Sequence, residues 1–297
     1  MWQKNKPYFL VLPALSIIVI FFFGGICCGL LQSFGFFPVI GKNHFTFKFY
    51  KEILYSYDFW KSFLLTLKIS TISTIISSIL GLFVIFCLFI ISSNGNHKFT
   101  LILQRFFILP MLIPYLVSAY LMVIMFMQSG WISRILLNLG FITEINDFPI
   151  IINDSSGWGI ITTYVWKATP FIILMLYPVL LQVKSSWIEV AKVFGANKRK
   201  AFLEIVFPML LPAWKISSFI IFAYTFSDFE VPFLLGVTYP KTLAVLSCEI
   251  YTKGELRERP IALAINAIFI FITLSLVVFT YFFSKKWTAY GGKNKHE

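Results

Sequence analysis

Charge is scarce in this chain. Only 13% of its 297 residues are Asp, Glu, Lys or Arg, and acids are the scarcer sign, 13 against 25. Histidine is nearly absent: His44, His97 and His296 are the three, and none lies in a long apolar run. That speaks against an integral-membrane enzyme, which needs His, Asp or Glu converging at one depth. The four cysteines, Cys27, Cys28, Cys87 and Cys248, form no CxxC or Cys/His cluster. A disulfide framework or a thiolate metal centre is therefore not indicated, and they read as small packing residues. No GxxxxGK[ST] occurs, so the chain has no nucleotide-binding loop of its own, and HExxH, GxSxG and DxDxG are missing too.

What is abundant is apolar surface. Hydrophobic residues make up 58% of the chain, 35 of them Phe, and the mean hydropathy is +0.82. A soluble core of this size has no room for that much apolar surface, so the composition indicates a membrane protein. Six runs reach the roughly 20 residues needed to cross a bilayer: Tyr8–Leu31, Phe63–Ile91, Leu101–Met127, Trp158–Val183, Ala213–Leu235 and Ile261–Phe283. Backbone groups in lipid must pair within the segment, and runs this long and uniform predict helices rather than barrel strands. The expected fold class is all-α and polytopic. "MWQKNKPYFLVLPALSIIVIFFFGG" starts like a signal peptide, but the run is long and lacks a small-x-small site, so it reads as a retained span.

The net charge of +12 points to nucleic acid only if the protein is soluble. Here basic residues flank the spans and orient them. With the N-terminus inside, the inner side collects Lys4, Lys6, Lys98, Arg105, Lys184, Lys192, Lys198, Arg199, Lys200, Lys215, Lys285, Lys286, Lys293 and Lys295 against Glu189, Glu204 and Glu297. This predicts N-in, C-in. Gln32–Ser62, Gln128–Gly157 and Gly236–Pro260 are then outer loops, and Ser92–Thr100 a short inner connector.

One inner loop is different. "EVAKVFGANKRKAFLEIVFPMLLP", from Glu189 to Pro212, is polar and centred on a glycine. "SSWIEVAKVF" suits two to three helical turns, with Ser185 or Ser186 as N-cap and Glu189 in the first turn, where a carboxylate favours the positive helix end. Gly195 fits a left-handed C-terminal cap. Asn197 is the expected N-cap of a second helix, and Pro208 and Pro212 mark the return to the membrane. Val190, Val193, Phe194, Phe202 and Ile205 are too many apolar groups for so small a unit to cover. Two readings stand: a knob seeking a partner's groove, or an amphipathic helix on the headgroups.

Charges inside spans are expensive and face the bundle interior or water. Lys68 reads as a snorkelling side chain. Lys167, between Trp166 and Pro170, faces either the pathway or a structural partner. Asp228 and Glu230 fall in the outer third of the fifth run, where Pro232 is expected to free the Asp228 carbonyl and kink the helix. These four, Lys167, Asp228, Glu230 and Pro232, are candidate pathway or gate residues. The alternative is that the acids cap and pair at the outer interface, with Arg257 or Arg259. Ser70, Thr71, Ser73, Thr74, Ser77 and Ser78 form a small-hydroxyl row suited to close helix packing rather than solute contact.

The Glu189–Pro212 stretch resembles the EAA motif of permeases in binding-protein-dependent ABC importers: Glu-Ala-Ala, three residues, Gly, nine residues, Ile-x-Leu-Pro. Glu189, Ala191, Gly195, Ile205 and Pro208 match, while Val190 and Phe207 depart from it with small or apolar replacements. "DFWKSFLLTLKISTISTIISSILGL", "PMLIPYLVSAY", "SGWISRILLNLG", "FSDFEVPFLLG" and "LRERPIALAINAI" extend the likeness from about Phe59 to the C-terminus. The last two, "FSDFEVPFLLG" and "LRERPIALAINAI", resemble the branch serving polyamines, thiamine, iron(III), sulfate and phosphonates. The resemblance implies a type I importer permease (MetI-like) with six transmembrane helices, N-in and C-in. It further implies a first helix and outer loop over 1–61, a membrane core over 62–284 with the coupling loop at 185–212, and a cytoplasmic tail over 285–297.

It also implies partners: ABC ATPase subunits, a second permease subunit (a related chain or a second copy), an extracytoplasmic solute-binding protein and the lipid bilayer, with no nucleic acid. Glu189, Ala191, Gly195, Ala196, Ile205 and Pro208 become ATPase-coupling residues. No cofactor, metal or catalytic residue is expected on this chain, ATP and Mg²⁺ being held by the ATPase. The expected location is the bacterial cytoplasmic (inner) membrane. The rival reading, an ATP-independent secondary transporter or channel, predicts inverted repeats with broken helices and no partner knob.

Overall fold

A computed structural model describes residues 2–38, 41, 44–92, 106, 107, 109–183 and 185–292; the side chains of 2–10, 92, 185, 276, 277 and 279–292 fall outside that description. Also outside it are the connector 93–100, the start of the third predicted span, and the positions of His97, Lys98, Arg105, Lys184, Lys293, Lys295, His296 and Glu297. The side chains of Lys4, Lys6, Lys285 and Lys286 lie outside it as well. Among the described residues the fold is all helical, with no β-strand.

Contacts divide the chain into two compact units. The first comprises Met1–Trp60 and Leu243–Leu276. Along its long helix α1 (Trp2–Ser33) most of the described apolar side chains are exposed, Phe21 by 77%. Such a helix suits lipid, where apolar exposure costs nothing. At its end Gly35 turns the chain at φ +81°, and a Cβ there would meet Thr46 Cγ2 at 2.7 Å. The turn lets the Ser33 hydroxyl bond Tyr50 (2.7 Å) on the short amphipathic helix α2 (Lys48–Tyr55).

The second unit comprises Lys61–Thr242 and Val277–Glu297. Most of α3 (Tyr57–Ser92) lies in it, with α4 (Tyr115–Phe126), α5 (Trp131–Asn138) and α6 (Trp158–Leu181). Burial against lipid-like surroundings yields little free energy by itself, so close packing and internal polar bonds must hold helices together there. The hydroxyl row of α3 supplies both. Ser70, Ser73 and Ser77 are fully buried, and Ser70 and Ser77 bond back to the carbonyls four residues earlier. Ser78 bonds Ser218 (2.7 Å), and Trp214 Nε1 donates to the Ser78 carbonyl (3.0 Å). One turn on, a Cβ at Gly81 would stand 2.6 Å from Ile172 Cγ2, so only glycine permits α3 and α6 to approach this closely.

After α6 come α7 (Ser185–Val193), α8 (Lys198–Ala201), a π-helical turn (Phe202–Val206), α9 (Phe207–Ser227) and α10 (Glu230–Leu235). In the first unit α11 (Leu243–Lys253) follows, and α12 (Arg259–Gly292) begins there. Among the described residues, five helical stretches are long and apolar enough to cross a membrane: Val11–Ser33, Tyr57–Ile91, Tyr115–Asn138, Trp158–Leu181 and Lys198–Ser227. The sixth predicted span, Ile261–Phe283, falls on α12, of which Arg259–Ser275 is the apolar stretch with described side chains.

Two predicted spans differ from expectation. The third, expected as one helix over Leu101–Met127, is interrupted at Ile113 and Pro114 before α4 begins at Tyr115. Its end is as expected, since Met127 is extended (ψ 154°), and a Cβ on Gly130 would strike three carbonyl oxygens within 2.8 Å, so the chain folds tightly back before α5. The fifth was expected over Ala213–Leu235. It is helical from Lys198 to Ser227 and stops, because Asp228 is extended at ψ 138°. Pro232 does not kink a continuous helix. It occupies the first turn of the separate α10, where a missing N–H is harmless.

Candidate functional site

The polar loop folds as its residues dictate. Helix α7 has nine residues, too short to persist without help from its ends. Its C-terminus closes with a pair of bonds, Ala196 N–H to the Ala191 carbonyl and Gly195 N–H to the Lys192 carbonyl, both 2.9 Å. This is the Schellman arrangement, and it requires the left-handed residue that Gly195 provides at φ +79°. Two residues later Asn197 opens the next helix, its Oδ1 accepting from the Lys200 amide (2.8 Å). A side chain on Gly195 would meet nothing within 4 Å. Ala196 is half-buried and is bound through its backbone.

Glu189 is displaced from its expected place. Helix α7 opens at Ser185, so Glu189 is its fifth residue, and no acid lies in the first turn. Glu189 therefore does not cap its helix; its side chain is exposed. Ser185 and Ser186, the expected N-caps, are both already helical, and position 184 lies outside the described residues.

The apolar residues of the loop divide into two groups. Val193 and Phe194, at the turn, are each 85% exposed, and Val190 is 55% exposed. Phe202 was expected to seek a partner, yet it is 4% exposed. It packs on Phe86 and Phe89 of α3 at centroid distances of 4.9 and 5.6 Å. Ile188 rests against the same core cluster, and Ile205 is half-buried.

The second helix runs without a stop from Lys198 to Ser227. Pro208 was expected to separate knob from membrane, but a π turn absorbs it: the Phe207 amide reaches back five residues to the Phe202 carbonyl. Widening the turn relieves the clash between a proline ring and the carbonyl four residues earlier.

At the turn Lys192 lies at the C-terminal end of α7, where a cation is favoured. Lys198, Arg199 and Lys200 open the next helix, where cations are disfavoured. The Lys200–Glu204 pair, 4.0 Å apart and 63% exposed on both sides, offsets little of this.

The four candidate pathway residues separate into two arrangements. Lys167, 4% exposed, donates through Nζ to the carbonyls of Pro110 (2.6 Å) and Ile113, and lies 4.7 Å over the Tyr115 ring. Pro114 has no N–H to give the Pro110 carbonyl four residues back; Lys167 supplies that donor, and a second to the Ile113 carbonyl where the helix is interrupted. Three residues away on the same face of α6, Tyr164 donates to Asp228 Oδ2 (2.7 Å). The same oxygen accepts from the Val231 amide (3.3 Å), so Asp228 also satisfies an N–H in the first turn of α10, whose N-cap is Phe229. Glu230 is exposed and Pro232 buried. The arginine partners considered for these acids lie in the first unit, where Arg259 stacks on Tyr251 (4.8 Å). Lys68 is exposed and donates to the Ser156 carbonyl (3.2 Å).

Residues 88–288 match the family described as "Binding-protein-dependent transport system inner membrane component". The chain belongs to this family. Among curated relatives, the trehalose/maltose transport system permease protein MalF of Thermococcus litoralis is 26% identical over 71% of this chain and 70% of its own. The sn-glycerol-3-phosphate transport system permease protein UgpA of Shigella dysenteriae is 27% identical over 94% of each. Among solved structures, a chain of a bacterial ABC transporter involved in importing the acidic polysaccharide alginate superposes with a TM-score of 0.79. It has 18% identity and covers 96% of this chain and 98% of that one.

The protein is thus a multi-pass membrane permease of a binding-protein-dependent ABC importer, all-α and of the type I importer fold. Two residues important to this permease's geometry were not singled out from its sequence, Phe202 as an anchor and Tyr164 as the Asp228 partner. A lone tyrosine three residues before a buried lysine on one helix face was the available signal for the latter.

Proposed function

We propose that the permease couples solute passage to a separate ATPase through the knob at 185–212, with Glu189, Ala191, Gly195, Ala196, Ile205 and Pro208 forming its frame. The observation that carries this reading is the tip. Two caps fix the helix–turn–helix, yet Val193 and Phe194 remain 85% exposed on it. A rigid apolar tip suits a groove better than the shallow, deformable headgroup layer. The basic rim of Lys192, Lys198, Arg199 and Lys200, placed partly against the helix dipole, suits an acidic partner edge, since locally unfavourable residues gather at functional surfaces.

In this reading ATP and Mg²⁺ belong to the ATPase, because this sequence has no loop to hold a nucleotide. A second permease subunit completes the pathway, and an extracytoplasmic binding protein delivers a small solute. A solved relative of the fold was captured with an alginate pentasaccharide-bound periplasmic protein, which supports such a partner here. Lys167 and the Tyr164–Asp228 pair hold two helix breaks beside the proposed pathway, with Glu230 and Pro232 at the second.

Gly195→Asp tests the coupling. It strains the left-handed cap and places a negative charge at a helix C-terminus. In the reconstituted complex, ATP hydrolysis should lose its stimulation by loaded binding protein and transport should fall by on the order of tenfold. Unchanged stimulated hydrolysis and transport sinks the coupling role.

A further inference from the structure

A push on the knob has two outlets into the membrane core, and they differ in stiffness. The first is its own helix, Lys198–Ser227. That helix holds a π turn at Phe202–Val206, which changes its hydrogen-bond register, and prolines at 208 and 212, each lacking a backbone donor. The second is sideways through Phe202. Its ring is 4% exposed, wedged against Phe86 and Phe89 with Leu88 and Ile85 fully buried in the same cluster. Those residues lie on α3, which runs from Tyr57 to Ser92 without a proline or a break. A close-packed aromatic contact onto a regular helix yields less than a helix that is continuous but carries a π turn and two prolines.

We infer that Phe202 is the transmission residue of this permease: it delivers movement of the knob to the Ser92 end of α3 rather than along the knob's own helix. From α3 the displacement spreads through contacts already described. Gly81 allows no slack against Ile172, and Ser78 is bonded to Ser218 and Trp214. The tip residues Val193 and Phe194 then serve docking alone, and Phe202 serves transfer alone. The inference rests on the coupling reading above, and the two are separable by experiment because the residues are different.

The test uses the whole complex, with ATPase, second permease subunit and binding protein, in lipid vesicles. Phe202→Ala, Phe86→Ala, the double variant and Phe202→Leu are compared for transport, ATP hydrolysis and photo-cross-linking to the ATPase from a benzoylphenylalanine at position 194. Phe202→Ala should lower transport by on the order of tenfold while unstimulated hydrolysis and the cross-link stay at wild-type level. The double variant should be no worse than the worse single, because both remove one contact. Phe202→Leu, which keeps bulk, should recover part of the transport.

Wild-type transport in Phe202→Ala overturns the inference. So does a double variant whose loss is the product of the singles. A parallel fall of transport, hydrolysis and cross-link in Phe202→Leu also overturns it, reducing Phe202 to a packing role. Absence of the cross-link in the otherwise wild-type complex removes the docking reading itself, whatever Phe202 does.

Discussion

Tyr164→Phe isolates a single interaction. Tyr164 is fully buried, and its ring packs in the cluster of Ile69, Ile160 and Val231. Phenylalanine fills the same space, so apolar packing is kept and only the hydroxyl is lost. That hydroxyl donates to Asp228 at 2.7 Å, and its loss leaves the Asp228 oxygen with the longer bond from Val231, 3.3 Å. A hydrogen bond to a charged group contributes about 1.5–3 kcal/mol in soluble proteins. Measured pairs between membrane helices reach at most about 1.7 kcal/mol. The overlap of these ranges, about 1.5 kcal/mol, is the expected cost. For a domain of this size it corresponds to a fall in melting temperature of roughly 3–6 °C in detergent. Asp228→Ala should cost more, since it also removes the acceptor of the Val231 amide at the start of α10. The double variant should be no less stable than Asp228→Ala, which gives an interaction energy of about 1.5 kcal/mol in the cycle. A Tyr164→Phe melting temperature equal to wild type, or strictly additive effects, refutes this account of the helix break.

Gly81→Ala inserts a methyl 2.6 Å from Ile172 Cγ2 and should destabilise by about 1–3 kcal/mol, read as a lower melting temperature; no change means that α3 and α6 are less closely apposed. Asn197→Ala removes the cap on the second knob helix and should cost about 1 kcal/mol locally, seen as faster hydrogen exchange at the Lys200 amide with little change in overall melting. Outside the spans, Asp147 titrates below its ordinary value of 3.8, held down first by the Thr143 hydroxyl and then by the Glu144 and Thr143 amides. Its ordering of the exposed turn is therefore complete above pH 3.8 and lost as pH falls through the lowered value. Exchange protection at the Thr143 and Glu144 amides should show that loss, and Asp147→Asn should abolish the pH dependence.

The long apolar runs made most of the spans readable, and glycine–asparagine punctuation made the knob's two caps readable, because capping depends on residues only a few positions apart. The break at Asp228 was hidden. Apolar residues continue on both sides of it from Phe226 to Leu235, and its cause is a hydroxyl on Tyr164 in another helix. Phe202 was misread for the same reason: it is as apolar as Phe194, and only the distant Phe86 and Phe89 make one an anchor and leave the other outside. Glu189 was misplaced by less than one turn, since nothing in "VKSSWIE" decides between three neighbouring starts for the helix.

The docking of the knob is most directly tested in native membranes, with benzoylphenylalanine at position 194 and a control at Leu121 on α4. Ultraviolet light should join position 194, and not position 121, to the ATPase subunit of the complex. Equal labelling at both positions, or adducts at position 194 with lipid alone, contradicts the account.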